Sequence, residues 1–139
     1  MKKILLTICA ILICANTIVA QVTISRSELV GTKWQISEVY ERHESAYYEF
    51  TKEEFIWHRD DGTTWPSSFY LSNTIPEKFD STKVGVSTSG CYFNKYINKD
   101  HFTCYAILSF DKSKGEMVLE LKNEKFIGPD HPVTFILMK

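Results

Sequence analysis

The residues best equipped for chemistry in this 139-residue sequence are four histidines and a late pair of cysteines, and their spacing argues against a catalytic role. His43, His58, His101 and His131 fall in no metal-ligand spacing, so no metal is assigned. His58-Arg59-Asp60 and Asp130-His131 set an imidazole beside a carboxylate, but adjacent residues on a strand point to opposite faces, and both are read as solvated turn residues. Cys91 and Cys104 fall in apolar alternation with no basic neighbour to lower a thiol pKa, which is poor surroundings for a nucleophile. The sequence holds no Gly-x-Ser-x-Gly elbow, phosphate-cradling glycine loop or dinucleotide fingerprint. Carboxylates are plentiful but scattered, so no acid/base pair is assigned. The chain is therefore expected to have no cofactor and not to be an enzyme.

What remains is aromatic surface. Aromatic residues make up 14% of the chain, within a hydrophobic share of 44% and a charged share of 24% that suit one globular domain. Sixteen Lys and Arg against seventeen Asp and Glu give a net charge of −1, too balanced for the basic stripe that nucleic acids demand.

The N-terminus sets the compartment. Met1-Lys2-Lys3 followed by an apolar run over 4–15 is too short to span a bilayer and reads as a secretory signal, with cleavage after Ala20. Neither Cys9 nor Cys14 follows a small residue, so a lipid anchor is not expected. The signal then occupies 1–20 and the mature domain 21–139, with no membrane span, exported to the periplasm or beyond the cell. Loss of Lys2 and Lys3 takes the mature charge to −3, and Cys91 and Cys104 become the only cysteine pair.

Those aromatics must be positioned by strands. Apolar residues recur with period two along most of 21–139, and no window sustains a helical period. Eight strands are expected near 33–40, 46–50, 54–59, 63–72, 90–96, 102–110, 116–122 and 132–139, the fourth open to interruption at Pro66. Asp61-Gly62 supplies a tight turn, and the Pro76-containing stretch 73–83 is the longest loop, a candidate lid or rim. Setting Cys91 opposite Cys104 pairs Phe93 with Phe102 and gathers Cys91, Phe93, Phe102, Cys104, Ala106, Leu108 and Phe110 on one apolar face. In an oxidising compartment that register favours a Cys91–Cys104 disulfide over two reduced core thiols. A chain ending in a strand closes most simply by pairing it with the first, which makes the fold all-β: an eight-stranded antiparallel up-and-down barrel with little helix.

Glu28-Leu29-Val30-Gly31-Thr32-Lys33-Trp34, the eight meandering strands and the closing Thr134-Phe135-Ile136-Leu137 resemble small secreted bacterial lipocalin-like domains of the calycin group. That resemblance implies that Gly31 and Trp34 correspond to the motif whose Trp closes a lipocalin barrel's floor, although the spacing here is one residue longer. Trp34, Phe55, Trp57, Phe69, Phe93 and Phe102 are the residues expected to turn inward. They could line a cleft for a small apolar ligand or fill the lumen outright, since eight strands enclose only enough room for side chains or one small molecule. Two functions follow. One is an exported lipocalin-like module binding a small hydrophobic ligand in the barrel mouth without turnover. The other is a filled-barrel structural or interaction module that docks an envelope protein through exposed tyrosines.

Overall fold

The computed structural model describes residues 21–37, 45–124 and 131–139. The expected signal at 1–20, His43 and Asp130 lie outside them. Eight antiparallel strands close a barrel: β2 (Lys33–Ile36), β3 (Tyr47–Phe50), β4 (Glu54–His58), β5 (Thr64–Ser72), β7 (Tyr92–Asn98), β8 (His101–Asp111), β9 (Glu116–Leu121) and β10 (Val133–Leu137). Each pairs with its neighbour along the chain, and β10 joins β9 on one side and β2 on the other through Phe135↔Ile36 and Leu137↔Trp34. Closure leaves the last strand no free edge. Among the described residues no helix is long and apolar enough to cross a membrane.

Two further strands that alternation alone did not suggest, β1 (Ile24–Ser25) and β6 (Ser89–Gly90), pair with each other outside the barrel ladder. Between β1 and β2 runs a single helical turn, α1 (Arg26–Leu29), started where the Ser25 backbone N–H donates to Glu28 Oε2 at 2.8 Å. Ile24 and Leu29 are buried in one core with Trp34, Met117 and Phe93, so this N-terminal segment plugs the end of the barrel at which β2 begins. Gly90 lets β6, the partner strand of β1, lie against β5: a Cβ there would be 2.4 Å from the Ser72 carbonyl oxygen.

β5 is continuous through Pro66 because of where its partners lie. Residues 64–68 pair with β4, whereas β7 pairs only with Phe69 to Ser72, so no second ladder asks Pro66 for the N–H it lacks. The β4–β5 hairpin thus extends past the last β5–β7 pair, Phe69↔Lys95. It turns through Gly62, whose φ of 81° is the left-handed conformation glycine adopts without strain.

Two expectations are corrected here. The register between β7 and β8 pairs Asn94 with Cys104 and Phe93 with Tyr105, three positions away from the Cys91–Cys104 alignment. Cys91 precedes β7 and gives its carbonyl to the Ile107 N–H, and both cysteines are free thiols. The register turns Phe93, Tyr105 and Ile107 into the lumen and places Phe102, Cys104 and Ala106 on the outer wall, where they too are buried, so with both faces of β8 covered the apolar pattern does not choose the register. The long connection after β5 is the second correction. It contains a 3-10 turn at Ser81–Lys83 and lies against that outer wall, with Phe79 5.1 Å from Tyr70, 5.2 Å from Tyr96 and 6.4 Å from Phe102 between ring centroids. The connection is a cover for an outer apolar patch, not a lid over the lumen.

Candidate functional site

Strand alternation sends every second side chain into the lumen, and in the half nearest the plug these are large rings. Phe50 sits 4.9 Å from Phe55, 5.4 Å from Phe69 and 5.5 Å from Phe93, and Phe69 and Phe93 are themselves 5.5 Å apart. All four are buried. Most of these pairs are tilted or edge-to-face, the geometry that ring quadrupoles favour, and together they form a solid floor. Trp34 lies on the plug side of the lumen, fully buried, its Nε1–H donating to Thr32 Oγ1 at 2.7 Å while that hydroxyl donates to the Leu29 carbonyl. A fully buried Trp whose one donor is satisfied by the residue just before its own strand is a structural floor residue.

Above the floor the rings continue toward solvent. Tyr48 stacks on Phe55 at 4.9 Å and lies 6.2 Å from Trp57, and Trp57 meets Trp65 edge-on at 6.3 Å. The Arg59 guanidinium lies 5.3 Å from the centre of Trp57 and 5.9 Å from that of Trp65. Trp65 is 60% exposed, so one wall of the lumen grades from packed floor to wet rim. Contact across β7 and β8 completes the opposite side: Phe93 stacks on Tyr105 at 5.9 Å, and Lys95 is paired with Phe69 and Thr103.

The six expected cavity residues therefore divide. Phe55, Phe69 and Phe93 meet in the floor, Trp57 stands above them at the mouth, and Trp34 lies toward the plug. Phe102 does not belong with them. It is on the outer face of β8 against Phe79, because the β7–β8 register is offset from the cysteine alignment. Sequence reasoning passed over Phe50, Tyr48, Trp65 and, most consequentially, Lys95. The signal was available for Lys95, since a residue two positions from an inward Phe93 on a strand must face the same way.

Lys95 is the only Lys, Arg, Asp or Glu on the inward faces of the described strands, and its ammonium stands 5.7 Å from the centre of the Phe55 ring. Burial lowers its pKa from the ordinary lysine value. Beside it, burial raises the Tyr105 phenol, with the Thr103 hydroxyl opposing the rise. Thr103 is itself fully buried, and its Oγ1 has no hydrogen-bond partner among the described residues.

The histidines and cysteines form no comparable site. His58, expected in a turn, is on the outer face of β4, stacked on Tyr47 at 4.3 Å and hydrogen-bonded to Glu49 at 2.8 Å. His101 lies 3.3 Å from Glu124, and His131 faces the Pro132 carbonyl. Burial, reinforced by Cys91, pushes the Cys104 thiol up to about 12. Among the described residues no group of three His, Cys, Asp or Glu is arranged to hold a metal ion.

No protein-family model, no curated protein and no solved structure matches this chain.

Proposed function

We propose that this chain is an exported, bacterial lipocalin-like binding module that holds a small, largely apolar molecule in the upper half of its barrel, non-covalently and without turnover. The observation that carries this reading is the aromatic wall from Phe55 through Tyr48 and Trp57 to Trp65, which ends 60% exposed at the rim above a floor already packed with rings. Exposed tryptophan costs apolar hydration that a flat ligand would relieve. The packed floor limits that ligand to about one or two rings held at the rim.

The test combines native mass spectrometry of protein purified from its own host with titration of the neutral probe N-phenyl-1-naphthylamine. The expected result is a bound small molecule, or saturable probe fluorescence that weakens several-fold in a Trp57→Ala/Trp65→Ala variant. An empty protein that leaves the probe dark overturns the reading.

One observation favours a second reading. The Phe50, Phe55, Phe69 and Phe93 floor leaves no space in the lower lumen, as a filled-barrel structural or interaction module of the envelope would require. An empty barrel together with a reproducible cross-link from the rim to one envelope protein selects that alternative.

A further inference from the structure

The mouth contains a polar feature that binding an apolar molecule does not use. A half-buried lysine is costly unless paired, and within a barrel the usual partner is a carboxylate on a neighbouring strand. Lys95 has no carboxylate partner among the described residues, and its ammonium stands over the face of Phe55. A cation over a phenyl ring offsets only part of the loss of water around an ammonium.

The groups beside Lys95 are donors as well. Thr103, its Cα partner on β8, is fully buried, and its hydroxyl lies beside the Tyr105 phenol without closing a hydrogen bond to any described residue. Directly paired positions bring Cβ atoms to about 5 Å, so ammonium and hydroxyl can serve one ligand atom group together. Tyr105, two residues on along the same face, carries a phenol that burial keeps protonated. An ammonium, a hydroxyl and a phenol with no acid among them form a recognition set for an anion.

Access lies alongside. The β5–β7 ladder ends at Phe69↔Lys95, and beyond it β7 pairs only with β8 while β5 pairs only with β4. The wall therefore parts at the level of Lys95, on the side where Trp65 projects.

We infer that the molecule bound in this mouth is a small aromatic monoanion, its ring system against Trp57 and Trp65 and its acid group on Lys95 and Thr103. The inference rests on the mouth-binding reading and adds the ligand's charge. Rings supply the flat apolar contact, and a single acid group suffices because Lys95 is the only Lys, Arg, Asp or Glu on the inward faces of the described strands, Arg59 at the rim being held over the Trp57 and Trp65 rings.

Calorimetric titration with 1-naphthoate and its neutral counterpart 1-naphthamide separates the two claims. In the wild-type protein, naphthoate is expected to bind at least about tenfold more tightly, the scale of one charge-assisted hydrogen bond. Lys95→Met keeps the side-chain stem, and is expected to abolish that preference while naphthamide binding stays within about threefold. Lys95→Arg should retain the preference, and circular dichroism confirms that each variant is folded. Equal affinity for both compounds in the wild type overturns the inference and leaves the mouth-binding reading standing. The same holds if naphthoate keeps its advantage in folded Lys95→Met. If neither compound binds the wild type, both readings fall together.

Discussion

Replacing Phe50 by alanine asks whether the lower barrel is as solid as its ring contacts imply. Phe50 is 1% exposed and within 5.5 Å of three other rings, Phe55, Phe69 and Phe93, between centroids. Truncating a buried phenylalanine costs about 3–5 kcal/mol, through lost transfer energy and the cavity left behind. Because every neighbour is itself a rigid ring held by a strand, the site collapses little, and the cost belongs near the top of that range, about 4 kcal/mol. Against the roughly 6–15 kcal/mol stability of a domain this size, the variant should remain folded but with a sharply lower denaturation midpoint. Guanidinium titration followed by tryptophan emission measures it, and an unchanged slope shows that only stability has moved. Saturating benzene should restore part of the loss by occupying the ring-sized void, as an apolar cavity in a rigid core does. Trp65→Ala, at the exposed rim, is the control and should stay within about 1 kcal/mol. A Phe50→Ala cost below about 1.5 kcal/mol, with no response to benzene, would mean a hollow or wet floor and would refute the reasoning.

Gly90→Ala sets a methyl 2.4 Å from the Ser72 carbonyl oxygen and 2.5 Å from its nitrogen, both backbone atoms that cannot swing aside. It should cost about 3 kcal/mol or more, and thermal melting with no loss would disprove the close approach of β6 and β5. Asp61, Asp80 and Asp111 each accept hydrogen bonds from the turn that follows, which lowers their pKa in the folded state below the ordinary 3.8. Stability from these groups is complete above the unfolded value, near pH 4 and upward, and is lost as pH falls through the lowered folded values. Urea midpoints between pH 6 and 2 should consequently fall less in an Asp61→Asn/Asp80→Asn/Asp111→Asn variant than in the wild type. With its thiol held near 12 and fully buried, Cys104 should resist iodoacetamide at pH 8 while Cys91 reacts, and mass spectrometry of labelled peptides with equal modification would contradict that burial.

Much of the architecture could be read from alternation alone. Trp34, Phe55 and Trp57, Met117 and Leu119, and Val133 and Phe135 each fall two apart or on an inward parity, and they do line the lumen. Barrel closure by the last strand also followed from a general cost, that of an unpaired edge. Register was harder. A slip of one residue inverts a strand, and the β7–β8 alignment rested on bringing two cysteines together, whereas β8 is buried on both faces and its apolar pattern leaves the register open. That single offset moved Phe102 outside and kept Tyr105 and Thr103 from being noticed. The plug was illegible for another reason: two-residue strands and one helical turn are too short to show a period. Lys95 was passed over because lysine is usually solvated, a rule that holds until alternation and burial disagree with it.

Pro66 has a bearing on how this protein keeps to itself. The stretch of β5 from Thr64 to Ser68 is bound to β4 alone, which leaves it the sort of border onto which a second polypeptide could zip. A ring nitrogen in the middle of that border withholds one donor and interrupts the zipper. The tryptophan-bearing hairpin can therefore stand out into solvent without recruiting its own kind.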